Sequence, residues 1–153
     1  MLDVSETRLE KAKLFGATDV INLKEQDAVQ AVRALLPNGA NVTFEVAGVP
    51  ETFTQSLKVT KPRGTVVVVS IFAGPIPFNP FDLTVAGVKI VSSAAYEPDV
   101  YQTTIDLMAS GRLNVREAIT GKIELENLVE EGFHALLNDK SHAKILVKLS
   151  GEQ

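Results

Sequence analysis

Four consecutive valines, Val66–Val69, restrict the possible folds of this chain more than any other segment. Side chains of a β-strand point alternately to opposite faces, so a strand made of this run is apolar on both faces. Such strands belong in the middle of a parallel sheet that is covered by helices on both sides. The segment Thr65–Ile71 is therefore predicted to be a central strand.

The rest of the chain alternates between short strand patterns and helix patterns of about ten residues. Strands are predicted at Asp19–Leu23, Val42–Val46, Val88–Ser93 and Lys144–Leu149, and helices at Glu6–Phe15, at Gln26–Leu36, from Pro50 onward, at Pro98–Ala109 and near Leu125–Asn138. This order is typical of βαβ units and predicts an α/β fold, a doubly wound parallel sheet. Residues 61–64 are predicted to form a turn, and residues 73–80 a proline-rich loop that leads to a turn around Leu83.

Composition excludes several classes of function. The 153 residues suit one compact domain, and 15 Lys and Arg against 19 Asp and Glu give a formal charge of −4. An acidic chain argues against binding nucleic acid through its phosphates. The absence of cysteine excludes disulfides and thiolate zinc sites. No apolar run reaches the ~18 residues of a membrane helix, so we expect a cytoplasmic domain without a membrane partner.

The two histidines do not predict a catalytic or metal site. His134 lies one helical turn after Glu130 and Glu131, which offers two ligand types but no third. His142 lies in the turn before the last predicted strand. The chain also lacks G-x-G-x-x-G, the glycine-rich motif of dinucleotide-binding turns. We therefore predict no catalytic residue and no metal ligand.

The first candidate binding pair is Asp3 and Arg8. An acidic residue at the carboxyl end of the second strand of a doubly wound fold accepts hydrogen bonds from a ribose diol and repels a 2′-phosphate. Arg8, five residues later, can reach the same ribose. Spacing alone leaves another interpretation open, in which Asp3 caps the helix, as Ser5 also could, and Arg8 is a solvated charge.

Two further candidates follow predicted strands. Val46, Ala47 and Gly48 lead into a helix N-terminus, where glycine allows close approach and N–H groups are free to bind a ligand. Val69, Ser70 and Ile71 leave the most buried strand, and ligands of open α/β sheets bind beyond the carboxyl ends of strands. An ordinary tight turn and a surface loop stiffened by prolines are the alternatives.

Read in order, these segments resemble one family, the zinc-dependent medium-chain alcohol and polyol dehydrogenases, and most of all the butanediol, sorbitol and threonine dehydrogenase branch. The resemblance covers nearly the whole chain. The segments that carry it are residues 3–20, 44–50 (Phe-Glu-Val-Ala-Gly-Val-Pro), 64–69, 106–112 and 144–147.

The resemblance implies NAD as the cofactor. Asp3 and Arg8 match the family positions that hold the adenosine ribose, and an acid there favours NAD over NADP. Val46, Ala47 and Gly48 match positions near the adenine half of the cofactor. The positions that line the nicotinamide match Val69, Ser70, Ile71, Ser93, Ala94 and Ala95, with Ser70 standing where the family often has glycine.

The resemblance also implies a division of the chain. Residues 1–115 match part of the dinucleotide-binding domain, and residues 116–153 match the tail that in the family returns to the catalytic domain. The first strand, its glycine-rich turn and the zinc ligands have no counterpart, so zinc is expected in the full-length enzyme only and this chain alone is expected to be inactive. The alternatives are a nucleotide-binding or oligomerisation module without catalysis and a relative of the NADPH quinone reductases.

The missing strand leads to an expectation about pairing. The chain begins two residues before its first helix, which suggests a truncated chain, and the lost strand is the central one of the order 3-2-1-4-5-6. Unpaired strand edges are costly, so we expect rearranged pairing: the strands near Val20 and Phe44 joined, the last strand inserted, or strands exchanged between chains. The strand at Val88–Ser93 is expected at an exposed outer edge, where a homo-oligomer would form.

Overall fold

The computed structural model describes residues 1–139 and 141–149 of a mixed α/β chain with parallel strand pairing. The chain forms two compact units. One consists of Ile21–Tyr96 together with Leu2, and the other of Asp3–Val20 together with Met1 and the chain from Glu97 onward. The predicted tail reaches residue 153, so Lys140 and residues 150–153 of that prediction lie outside the described residues.

The first unit alternates strands and helices as predicted. In chain order its elements are β2 (Ile21–Asn22), α2 (Ala28–Leu35), β3 (Ala40–Glu45), α3 (Pro50–Val59), β4 (Thr60–Val68), α4 (Pro80–Ala86) and β5 (Lys89–Ser92). The parallel sheet has the order β3-β4-β5, with Val66 of the middle strand completely buried. The prediction of a central strand at the valine run is confirmed, although β4 ends at Val68 and leaves Val69 half exposed.

The predicted turn at residues 61–64 is instead a bulge inside β4. Ala40 pairs with Thr60, but Val42 pairs with Thr65, so the four residues 61–64 of β4 lie opposite the single residue Asn41 of β3. A Cβ on Gly64 would lie 2.8 Å from the carbonyl oxygen of Asn41, which explains the glycine in this bulge. The turn residues bend the strand rather than end it because pairing with β3 continues on both sides of them.

The core of the first unit is small and lies beside the helices α2 and α3. Ile21, Val32 and Val59 form a buried cluster, which the partly buried Leu2, Leu23, Val29 and Ala31 extend. The segment around Leu83, predicted as a turn, forms the helix α4. The Asn79 side chain caps its first turn and Gly87, with φ of 61°, ends it, so both ends have the residues that a helix prefers.

The second unit holds the remaining elements. They are α1 (Glu6–Leu14), α5 (Pro98–Ala109), a 3-10 turn (Arg116–Ala118), β6 (Ile119–Glu124), a 3-10 turn (Leu125–Asn127), a π-helix (Leu128–His134), α6 (Ala135–Asn138) and β7 (Lys144–Lys148). The strand β6 was not predicted, since Gly121 interrupts a weak strand pattern and its stability comes from parallel pairing with the distant β7. The predicted helix at 125–138 is wound irregularly rather than as one α-helix.

The expected rearrangement of the strands does not occur within the chain. The short strand β1 (Leu2–Asp3) pairs with β2, and among the described strands β2 does not pair with β3. The last strand, β7, pairs with β6 and is not inserted into the sheet of β3, β4 and β5. The described residues form three separate sheets, because each strand keeps the partner that a short connection or a parallel crossover brings to it. The exposed outer edge at β5 is confirmed, since all four of its residues are exposed.

Candidate functional site

The carboxyl ends of β3, β4 and β5 meet at one edge of the sheet, here called the strand-end edge. It consists of the residues that follow the three strands: Val46–Gly48, Val69–Ile71 and Ser93–Ala95. The backbone N–H of Val69 donates to the Glu45 carbonyl at 2.9 Å, and the N–H of Ser93 donates to the Val68 carbonyl at 2.9 Å. The ladder thus continues past the strand ends and brings the three predicted segments side by side.

Glu45 organises this edge. Its side chain is at the end of β3 and the residue is only 2% exposed. Oε1 accepts hydrogen bonds from the N–H groups of Ala47 (3.0 Å) and Gly48 (2.9 Å) and from Thr52 Oγ1 (2.7 Å), while Oε2 accepts one from Ser70 Oγ. One carboxylate therefore ties the turn between β3 and α3 to the loop that follows β4.

These contacts determine the charge of Glu45. Burial by itself raises the pKa of the carboxyl, but the hydrogen bonds from Ser70, Thr52, Gly48 and Ala47 together hold the pKa below its ordinary value of 4.5. Glu45 is thus a carboxylate at neutral pH despite its burial. The sequence analysis did not identify Glu45 as a site residue. The pattern that could have indicated it is an acidic residue that ends a strand and precedes a glycine by three positions.

The turn after β3 does not offer the free N–H groups that the sequence suggested. The amides of Ala47 and Gly48 both donate to Glu45, and α3 begins with Pro50, which has no N–H. Two of the backbone donors that were expected to be free, the amides of Ala47 and Gly48, are therefore used by the preceding carboxylate. What the turn presents instead is the apolar side chain of Val46, which is 68% exposed.

Gly48 allows the turn to touch the loop after β4. Its φ is 73°, and a Cβ on it would lie 2.8 Å from the carbonyl oxygen of Ile71. Ile71 itself is 94% exposed and follows Ser70, which is bound to Glu45. On its other side the ring of Phe72 packs edge-on against Phe53 of α3, with centroids 6.3 Å apart. The backbone around Ile71 is therefore held on both sides, while the apolar side chain is exposed.

The segment after β5 completes the strand-end edge. Ser93, Ala94 and Ala95 are all exposed. Ala95 has a φ of 56°, in the left-handed region that alanine rarely adopts. Strained residues of this kind cluster at binding sites, so this feature agrees with a role in contacting a ligand.

Asp3 and Arg8 lie in the other compact unit, where they form an ion pair. Arg8 Nη1 is 3.2 Å from Asp3 Oδ2, and Asp3 Oδ1 also accepts the N–H of Ser5 at 2.8 Å. Ser5 occupies the N-cap position of α1, but its side chain makes no capping bond. Asp3 thus orders the chain before the helix and holds Arg8 beside it, so the predicted pair is brought together.

The histidines take part in local contacts. His134 Nδ1 lies 3.0 Å from Glu130 Oε2, and His142 Nδ1 lies 3.2 Å from Thr120 Oγ1. Among residues 1–139 and 141–149, no three or more His, Cys, Asp or Glu side chains are grouped closely enough to hold a metal ion. In the same residues, no helix has both the length and the apolar character needed to span a bilayer.

Ser70→Ala is expected to lower the free energy of unfolding by about 1–2 kcal/mol, because Oε2 of the buried Glu45 loses the donor that Ser70 supplies. Ser110→Ala is the matched control, since Ser110 is exposed and donates only to a carbonyl of its own helix end. Urea unfolding followed by circular dichroism measures both. Equal effects of the two substitutions would contradict the role given to Ser70.

The parallel sheet β3-β4-β5 with its connecting helices is a Rossmann-like α/β fold. Comparison with known proteins agrees: the family model described as zinc-binding dehydrogenase matches residues 1–110. The chain belongs to this zinc-binding dehydrogenase family and corresponds to its cofactor-binding, carboxyl-terminal part.

Individual relatives show the same likeness. The chain is 33% identical to (R,R)-butanediol dehydrogenase of Bacillus subtilis over 147 residues, which are 96% of this chain and 42% of the relative. It is 32% identical to sorbitol dehydrogenase 1 of Saccharomyces cerevisiae, over 82% of this chain and 37% of the relative. The chain therefore spans about two fifths of the length of these relatives.

Solved structures confirm the fold. The crystal structure of 2R,3R-butanediol dehydrogenase from Bacillus subtilis superposes with a TM-score of 0.89 at 31% identity, over 97% of this chain and 43% of that one. A protein of Sinorhizobium meliloti described as a zinc-binding dehydrogenase, and bound to NADP, superposes with a TM-score of 0.82 at 27% identity, over 95% of this chain and 43% of that one.

Proposed function

We propose that this chain binds NAD as the cofactor domain of a zinc-type alcohol or polyol dehydrogenase, an enzyme that transfers hydride between a secondary alcohol and NAD. The observation that carries the proposal is the strand-end edge, where Val46–Gly48, Val69–Ile71 and Ser93–Ala95 lie side by side beyond three parallel strands. Open α/β sheets bind their ligands at this edge. When bound, the cofactor supplies the hydride acceptor, and the chain's residues only hold and orient it.

The properties of the edge suit the two halves of the cofactor. The exposed Val46, beside the close approach at Gly48, provides an apolar contact for the adenine half, and the exposed Ile71 provides one for the nicotinamide. The loops do not have to reorganise, because Glu45 already holds Gly48 and Ser70 in place. A pre-organised site loses less conformational entropy on binding.

We further propose that Asp3 and Arg8 hold the adenosine ribose and select NAD over NADP. The Asp3 carboxylate accepts from Ser5 and Arg8 and keeps lone pairs that can accept from a ribose diol, whereas a 2′-phosphate would place a second anion beside it. Since one relative binds NADP, the preference has to be measured on this chain.

The test is calorimetric titration of the full chain with NAD and with NADP. We expect NAD to bind at least about tenfold more tightly, and Asp3→Asn to reduce that preference by about tenfold, as loss of a charged hydrogen bond predicts. Asp99→Asn in the first turn of α5 is the matched control and should leave the preference unchanged. Tighter binding of NADP, or an Asp3→Asn variant with unaltered preference, would refute the assignment.

We propose the same division of the chain into two parts as the family resemblance implies. Residues 1–115 supply the partial dinucleotide-binding domain, and residues 116–153 supply the tail that joins the catalytic domain of a complete enzyme. Zinc in such an enzyme would be held by that other domain.

We propose that the chain alone turns over no alcohol. Measuring NADH formation from NAD with 2,3-butanediol or sorbitol tests this. Any protein-dependent turnover would show the proposal of inactivity to be wrong.

We also propose that two copies associate through the outer edge at β5. Its four residues are exposed, and parallel-sheet edges readily pair with a second chain. Light scattering across a range of protein concentrations tests this, and a monomer at every concentration would exclude it.

A further inference from the structure

A cavity lies between α3 and α4, beside the first residues of β4. Its volume is about 430 Å³, which is within the range of ordinary small-molecule sites. All of its lining residues belong to the compact unit that contains Ile21–Tyr96. None of them belongs to the strand-end edge, so the cavity is separate from the proposed cofactor site.

Most of the cavity wall is apolar. Leu57 of α3 and Pro62 of the β4 bulge line it, together with Phe81 and Val85 of α4. Phe81 and Val85 are one helical turn apart and are 66% and 69% exposed. Exposed large apolar side chains beside a cavity are typical of ligand-binding grooves. This part of the wall can therefore contact a hydrocarbon chain or ring.

The polar part of the wall carries a net positive charge. Arg33 and Lys58 contribute two cations, and Asp82 contributes one anion. Within residues 1–139 and 141–149, none of these three side chains takes part in an ion pair. The hydroxyls of Thr54 and Thr60 donate to backbone carbonyls of α3. The wall therefore offers an anion its two cations rather than its hydroxyl groups.

Arg33 is held in place by the backbone around the cavity. Its Nη2 donates to the carbonyl oxygen of Lys58 at 3.0 Å, and its Nη1 donates to that of Pro37 at 3.3 Å. These bonds use two of the five N–H donors of a guanidinium. A carboxylate has two oxygens in one plane, which suits the planar donors of arginine. Because the side chain is already oriented, it loses little conformational entropy when it binds an anion.

We infer that this cavity is a second ligand site, which takes a monocarboxylate with an apolar chain or ring. The carboxylate binds at Arg33 and Lys58, and the apolar part packs against Leu57, Phe81 and Val85. One negative charge matches the net charge of the wall, whereas a phosphate group would bring nearly two charges and leave the apolar wall without a contact. The inference rests on the cavity and does not require NAD binding.

The experiment is calorimetric titration of the full chain with hexanoate, acetate and 1-hexanol. We expect hexanoate to bind at least about tenfold more tightly than acetate, which lacks the apolar chain, and than 1-hexanol, which lacks the charge. Amide signals of Leu57 and Val85 should shift in ¹H–¹⁵N spectra as hexanoate is added. Saturation with NAD should leave the affinity for hexanoate unchanged.

Lys58→Gln should weaken hexanoate binding about threefold, as loss of one exposed charge predicts. This variant is preferred to one at Arg33, whose removal would also break the two hydrogen bonds to the backbone. Lys13→Gln is the matched control, because both lysines are exposed and lie in the last turn of a helix. The control should bind hexanoate as the parent chain does.

Several results would overturn the inference. They are the absence of saturable hexanoate binding, equal affinity for hexanoate and either of the other two compounds, equal weakening by the two lysine substitutions, shifts at Val46 and Ile71 instead of at the cavity, and competition by NAD. Hexanoate binding by a chain that does not bind NAD would support the second site and count against the proposed function only.

Discussion

Glu45→Ala is expected to lower the free energy of unfolding by about 3 kcal/mol, the largest effect of any substitution considered. The change removes the acceptor for four donors, which are the amides of Ala47 and Gly48 and the hydroxyls of Thr52 and Ser70. Each buried donor left unpaired costs roughly 1–3 kcal/mol, and entry of water into the space recovers part of that cost. Urea unfolding at neutral pH measures the loss.

Glu51→Ala is the matched control for this substitution. Glu51 is an exposed acid in the first turn of α3, and removing it should change the stability by no more than about 0.5 kcal/mol. A Glu45→Ala variant as stable as the control would show that the hydrogen bonds of the carboxylate contribute nothing to the fold.

The same residue predicts a dependence on pH. Because the pKa of Glu45 is lower in the folded chain than its ordinary value of 4.5, its stabilising contribution is fully present above that value. The contribution is lost as the pH falls through the folded pKa, when the carboxylate becomes protonated. Glu45→Gln should therefore show a smaller loss of stability than the parent on acidification below pH 4.5. Parallel pH profiles of the two proteins would contradict the assignment.

Gly48→Ala is expected to cost about 2–3 kcal/mol, the second largest effect. Part of the cost is conformational, since alanine at φ of 73° is strained by about 1 kcal/mol. The remainder is steric, because the new Cβ would lie 2.8 Å from the Ile71 carbonyl oxygen and would push the loop after β4 away from the turn after β3. Thermal and urea unfolding of the variant test the total.

Gly16→Ala separates the two contributions to the Gly48 effect. Gly16 also has a positive φ, of 94°, but nothing lies within 4 Å of the position where its Cβ would be. Gly16→Ala should therefore lower the free energy of unfolding only by the conformational cost, about 1 kcal/mol. If both variants lose the same stability, the close approach between Gly48 and Ile71 has no energetic consequence and the strand-end edge is less tightly packed than the structure indicates.

Much of the fold could be predicted because its signals are local. The valine run predicted the middle strand, and Pro98 with Gly111 predicted both ends of α5, since proline begins and glycine ends a helix for reasons of backbone geometry. The bulge at residues 61–64 was predicted as a turn for the same local reasons. It remains inside a strand because pairing with β3, a tertiary contact, outweighs the preference of Pro62 and Gly64 for a turn.

The strand β6 and the arrangement of the sheets depended on contacts between distant residues. Ile119–Glu124 contains a glycine and has little strand character alone, but it pairs in parallel with β7, whose partner residues lie 24 or 25 positions further along the chain. The rearranged pairing was expected from the cost of open edges, and the chain instead keeps the edge at β3 open. The free-energy cost of an open strand edge therefore did not predict how this chain pairs its own strands.

The sequence by itself determined the α/β class, the central position of β4, the family resemblance and the segments of the candidate site. These follow from periodicity, helix-end residues and the order of motifs, which depend only on residues that are close together in the sequence. The tertiary structure decided which atoms of that site remain available. Glu45 takes the amides that the turn seemed to offer, and its other oxygen binds Ser70, which lies 25 residues away. The local pattern of an acid three residues before a glycine could indicate the residue, but its burial is a property of the packed sheet and helix and was decided by the tertiary structure.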